Sequence, residues 1–138
     1  MSFWHFLLIA FFVLRAPAQA ETREPAPEPL GASAPGYFRY PALSDDGLVF
    51  TAEGDLWRVG VRGGEAVRLT THPGEESHAA VSPDGTRIAY SASFEGPTEV
   101  YVAKLDGSSP TRLTYEADNA IVTGWTADGD VLYATRRH

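Results

Sequence analysis

The stretch His72-Pro73-Gly74-Glu75-Glu76-Ser77-His78 places two imidazoles and two carboxylates within seven residues. Imidazole nitrogens and ionised carboxylates can ligate a divalent cation, so His72, Glu75, Glu76 and His78 are the residues to test for a metal. Their spacing follows no established ligand pattern. Pro73-Gly74 signals a turn, not a helix face that would hold donors in place beforehand. A solvated loop leading into a strand accounts for the same residues more simply, and a loop shaping the rim of a strand assembly is a further reading. No metal and no cofactor are expected. Ser82, Asp84 and His78 could suggest a nucleophile with its base, but a triad is defined by hydrogen-bond geometry and roles, not by composition. Ser82 opens a turn, and Asp84 is a turn residue whose carboxylate accepts local backbone N–H bonds. No catalytic residue is assigned. Trp57, Tyr90, Tyr101, Trp125 and Tyr133 could stack on a ligand, but they recur at repeated positions, which suits core packing better. Asp128-Gly129-Asp130 alone is too short a run to indicate calcium, and Arg136-Arg137 reads as a strand exit, not a basic tail.

The elements that must position these residues announce themselves by repetition. Arg68-Leu69-Thr70 recurs as Arg112-Leu113-Thr114, Pro83-Asp84-Gly85 as Ala127-Asp128-Gly129, and Asp55-Leu56-Trp57 as Glu99-Val100-Tyr101, each after a step of 44. A third turn tetrad, Ser44-Asp45-Asp46-Gly47, precedes Leu48-Val49-Phe50. In these tetrads Pro83 suits the second position of a type I turn, and Gly47, Gly85 and Gly129 can take the left-handed conformation that follows it. Each turn leads into an alternating apolar strand, a second turn, a strand carrying Leu56-Trp57 or Val100-Tyr101, and a Gly-containing turn ending in Arg-Leu-Thr. Leu56, Trp57, Val100 and Tyr101 are expected to pack the repeats together. From turn glycine to Arg-Leu-Thr the first copy is six residues shorter than the second, and the shortfall is assigned to the two hairpin loops, where length changes cost little. Four short antiparallel strands in 40–45 residues, repeated, predict β-propeller blades. No helical periodicity follows Leu14. The fold class is therefore all-β: an incomplete β-propeller of a little over two four-stranded blades.

Residues 1–20 run apolar from Phe3 to Leu14 and close on Ala18-Gln19-Ala20. A mostly apolar stretch of twelve residues is too short to span a hydrocarbon core about 30 Å thick. Small residues at −3 and −1 suit signal peptidase, so an export signal cut after Ala20 is expected, although the positive charge (Arg15) comes late. An uncleaved anchor is the alternative. Residues 21–36, rich in Pro, Ala and Glu, predict a disordered tether, which leaves residues 37–138 for the partial propeller. Beyond Ala20 there are 18 acidic residues against ten basic ones, scattered singly, so neither nucleic acid nor an anionic membrane surface is an expected partner. The chain has no cysteine, which rules out a thiol nucleophile, a zinc–thiolate site or a disulfide. Propellers close with four to eight blades, so the residues present are expected to be the amino-terminal piece of something longer.

The wording of the repeats resembles the WD-type propellers of TolB, of prolyl-oligopeptidase relatives and of tricorn proteases. Narrower phrases, GYFRYPAL (36–43), VFTAEGDLWRV (49–59), RLTTHPGEESHAAVSPDG (68–85), FEGPTEVYV (94–102) and VTGWTADG (122–129), resemble the start of the first propeller of tricorn-protease homologues. The resemblance implies a large serine peptidase with two propellers, a PDZ domain and a catalytic region bearing a Ser nucleophile, a His base and supporting Ser and Glu, and no Ser or His of this chain can be matched to that catalytic motif. It implies peptide substrates reached through the full-length protein, partners in the rest of its own propeller and peptidase region, and admits a homo-oligomer. The founding archaeal type is intracellular. The leader here implies a periplasmic or secreted protein with no membrane attachment after cleavage, or a cytoplasmic one if residues 1–20 are not a signal. A non-enzymatic TolB-like propeller that binds protein partners is the alternative, and a prolyl-oligopeptidase-type enzyme with an α/β-hydrolase region downstream is a third reading.

Overall fold

The computed structural model describes residues 37–115 and 118–136; the expected signal segment, the tether, Arg137 and His138 lie outside them. Ten strands follow in chain order: β1 (Arg39–Leu43), β2 (Gly47–Ala52), β3 (Asp55–Gly60), β4 (Val67–Arg68), β5 (Glu76–Val81), β6 (Arg87–Ala92), β7 (Glu99–Lys104), β8 (Thr111–Arg112), β9 (Ala120–Trp125) and β10 (Val131–Thr135). They form two four-stranded antiparallel meanders, β1-β2-β3-β4 and β5-β6-β7-β8, and a two-stranded β9-β10 sheet. The described residues are all-β, and the array is unclosed.

The sheets stack face to face as blades. β6 is buried almost throughout, and its two faces serve different neighbours. Ile88, Tyr90 and Ala92 join Val49 and Leu56 of the first blade. Ala89 joins Val100 with Ala120 and Val122 of the third sheet. This is the period-2 alternation of a strand sandwiched between layers. Leu56 and Val100, one step of 44 apart, are both fully buried. Trp57 and Tyr101 are half-buried, and Tyr101 stacks against Tyr90 with ring centres 5.8 Å apart. Tyr133, in contrast, is 42% exposed, so that aromatic does not pack between the described blades. Blades are also tied through backbone, by Glu76 N–H to Gly54 O and Ala120 N–H to Thr98 O, both 2.8 Å.

Two expectations need correction. The loop joining β2 to β3 has two residues and the one joining β6 to β7 has six, whereas β3–β4 and β7–β8 are joined by loops of equal length. Four of the six missing residues therefore lie in one hairpin loop. The other two arise because Gly47 already belongs to β2, whereas Gly85 stands two residues before β6. Gly85 and Gly129 take φ of +68° and +89° as turn glycines. Gly47 does not; it is needed for close approach, since a Cβ there would lie 2.8 Å from the Val59 carbonyl oxygen. Pro83 sits in the turn that Gly85 N–H closes onto Ser82 O at 2.8 Å.

Candidate functional site

In each blade the first strand is innermost: β1 packs on β5 and β5 on β9, while β4 and β8 make their main contacts only with their own sheet neighbours. The side chains that line the converging strands are the candidates for contact with anything that passes along the array. Two of them are held in an uncommon way. β1 and β5 each carry a bulge, between Arg39 and Ala42 and between Ser77 and Ala80. Within these bulges Tyr40 and His78 both adopt φ of +51°. A bulge re-aims side chains, and left-handed backbone costs bulky residues free energy, about 1–3 kcal/mol each, which surrounding packing must offset. The two rings meet across the blade junction, 3.9 Å between centres and tilted by 31°. Arg39 joins them from the side, ion-paired to Glu75 at 2.7 Å and lying over the Tyr40 ring. Partial burial, reinforced by the Arg39 charge and opposed by Glu75, holds the His78 imidazole below its ordinary pKa, so the ring is neutral at pH 7.

Beside this pair an open polar cleft of about 380 Å³ is lined by Arg39, Glu53, Gly54, Asp55 and the His72–Glu75 loop. The loop is pressed onto the second blade. A Cβ on Gly74 would lie 2.3 Å from Ser93 O, which explains glycine at that position. The His72–His78 cluster is thereby dispersed. His72 Nδ1 accepts the Gly74 N–H at 3.1 Å, and its ring lies on Phe94. Glu75 turns outward to Arg39, Glu76 is buried between blades, and His78 meets Tyr40. Among the described residues no three His, Cys, Asp or Glu side chains are grouped to hold a metal ion. Ser82 does not face a base: its hydroxyl donates to Asp84 Oδ1 at 2.6 Å and accepts Arg87 N–H at 2.9 Å. Asp84, bonded also by the Thr86 amide, has its carboxyl pKa lowered to about 2. This is turn chemistry throughout.

Sequence reasoning missed Tyr40, because nothing in RYPAL marks a bulge. It also passed over the meaning of the 44-residue echo at the blade edge. Arg112 donates to Glu99 at 2.8 Å, the Thr114 hydroxyl donates to Glu99 Oε2, and Thr114 Oγ1 accepts Val100 N–H at 2.9 Å. In the first blade Arg68 pairs with Asp55, and Thr70 Oγ1 accepts Leu56 N–H at 2.9 Å. The acid, the arginine and the threonine thus form one clamp per blade that ties the fourth strand to the third. Asp/Glu at one end of the repeat and Arg-Leu-Thr at the other was the available signal.

The comparisons agree with this architecture. The family model described as the Tricorn protease N-terminal beta propeller domain matches residues 35–138. Tricorn protease homolog 1 of Streptomyces coelicolor is 40% identical over 101 residues, which cover 72% of this chain and 10% of that protein. Among solved structures, a putative TolB from Agrobacterium tumefaciens superposes with a TM-score of 0.62 at 27% identity, covering 69% of this chain and 36% of the other. The tricorn protease crystal structure superposes at 0.61 and 22% identity, over 70% of this chain and 10% of the other, which is a likeness of fold. The chain spans about a tenth of the length of its Streptomyces relative. With the repeated clamps, the bladed stacking and a family match over residues 35–138, this chain belongs to the tricorn protease N-terminal β-propeller domain family.

Proposed function

We propose that this chain is the amino-terminal propeller portion of an exported tricorn-like serine peptidase, and that it serves as scaffold and substrate access for peptide degradation, not as the site of bond cleavage. The observation that carries this reading is the convergence of β1, β5 and β9, with Arg39, Tyr40 and His78 on the innermost strands and Glu75 just before β5. An extended peptide offers backbone N–H and C=O groups along its length, and polar side chains with an aromatic face suit transient contact with them. Ser82, the hydroxyl best placed to attract a catalytic reading, is engaged by its own turn.

The test uses the full-length protein that carries this chain. Asn tolerates left-handed φ, so Tyr40→Asn with His78→Asn removes both rings while sparing the bulges. The reading predicts a several-fold fall in kcat/KM for long peptides with little change for short ones. Equal values for both lengths, unchanged from wild type, would contradict it. The TolB likeness favours a second reading, a propeller that binds protein partners without a peptidase region. In that case the purified protein captures envelope proteins and cleaves no peptide.

A further inference from the structure

The clamp at the first junction is built from different parts. In the second blade Glu99 reaches both Arg112 and the Thr114 hydroxyl, and the residue 44 positions after Glu76 is Ala120. In the first blade the acid is Asp55, one methylene shorter, whose Oδ2 takes Arg68. The Thr70 hydroxyl bonds Glu76 instead, which arrives from the next blade. The Glu76 amide donates to Gly54 O at 2.8 Å, the carbonyl immediately before Asp55, so both acids enter the same junction. Glu76 is 1% exposed and Asp55 3%. One oxygen of each, Glu76 Oε2 and Asp55 Oδ1, is fully buried and has no hydrogen-bond partner. Two neighbouring buried carboxylates facing a single guanidinium cannot both stay charged without large cost.

We propose that Glu76 and Asp55 share one proton, with Glu76 Oε2–H donating to Asp55 Oδ1, in a carboxyl–carboxylate hydrogen bond that clasps the first blade to the second and loosens when the proton passes to solvent. Arg68 pairs with Asp55, and Glu76 is the member that carries the proton. The other groups facing Glu76 are Arg68 from β4 and the Tyr90 phenol from β6. β2 and β9 carry no titratable side chain, and on β1 Arg39 is bonded to the outward-facing Glu75. On β5 itself, His78 lies against Tyr40. Burial and the nearby Asp55 charge raise the Glu76 carboxyl to about 7.

The experiment is infrared spectroscopy across pH on the full chain with ¹³C-labelled glutamate carboxyls. The expected result is a protonated-carboxyl band at pH 6 that disappears with a midpoint near 7 and is absent in Glu76→Gln. In Asp55→Asn the introduced amide donates to ionised Glu76, so the midpoint falls toward the ordinary carboxylate range. If Glu76→Gln does not fold, the wild-type and Asp55→Asn titrations decide. Absence of a protonated glutamate at pH 6, a band that survives in Glu76→Gln, or a midpoint unmoved by Asp55→Asn would overturn the proposal.

Discussion

Raising the pH from 5 to 8.5 should weaken the junction between the first two blades, and substituting Glu76 should abolish most of that loss. Glu76 is raised from 4.5 to about 7 by burial, with the Asp55 charge adding to it. Below 4.5 the group is protonated whether the chain is folded or not, and its contribution to stability is complete. Between 4.5 and 7 the unfolded chain releases the proton while the folded chain keeps it. The folded state then binds more protons, so stability falls as pH rises, by about 1.4 kcal/mol per pH unit at most. Over a gap of about 2.5 pH units the loss reaches about 3.4 kcal/mol, and above 7 it is complete. A loss of that size is a large fraction of a small domain's stability, typically about 5–15 kcal/mol. His78 titrates in part of the same window with the opposite sign, because burial lowers its folded pKa and protonation at low pH is resisted. Comparison with Glu76→Gln, whose amide keeps a donor toward Asp55, cancels that background. Urea denaturation followed by tryptophan fluorescence reports on the blades flanking the junction, since Trp57 lies in the first blade and Trp125, in the third sheet, donates its indole N–H to Ala80 O of the second. Wild type should lose stability between pH 5 and 8.5 relative to Glu76→Gln by about 2.7 kcal/mol, the share of the loss that falls between pH 5 and 7. Parallel stability curves for the two proteins would refute the reasoning.

Further outcomes follow from the same contacts. Gly107 has φ of +82°, and a Cβ there would lie 2.2 Å from Leu69 O, whereas Gly85, at +68°, has open space around it. Gly107→Ala should therefore cost more than the ~1 kcal/mol expected for Gly85→Ala, as thermal melts of the pair will show. Thr114→Val removes the acceptor for Val100 N–H and a donor to Glu99 inside the blade, and should cost about 2–3 kcal/mol by denaturant titration. Ile88→Ala empties a fully buried site between the first two blades and should cost about 2–5 kcal/mol in the same assay. If residues 1–20 direct export, the protein from fractionated cells should begin at Glu21 by mass spectrometry and leave the cytoplasm; an intact Met1 in the cytoplasmic fraction would remove that reading.

How much of this was legible in the sequence differs from feature to feature. The blades were, because a meander needs turn residues at fixed places, and Pro83-Asp84-Gly85 and Arg-Leu-Thr recur at a fixed step. The packing of Leu56 and Val100 was legible for the same reason. The bulges at Tyr40 and His78 were not, since both sit in ordinary strand sequence with no glycine or asparagine to mark their left-handed backbone. Glu76 was misleading in a different way. A glutamate after Pro-Gly-Glu looks like a solvated loop residue, and only the stacking of two blades shows that it is buried at their junction near Asp55. Gly47 resembled the other turn glycines but works through its closeness to Val59.

The central claim is that the innermost strands of this array face the peptide, and photo-crosslinking addresses it most directly. A long peptide bearing a photoreactive residue is irradiated with the full-length protein, and the adducts are mapped by mass spectrometry. The account predicts adducts on Arg39, Tyr40 and residues 75–78, diminished by the paired Asn substitutions. Adducts confined to β4 and β8, or none on residues 37–136 while the peptide is still cleaved, would contradict it.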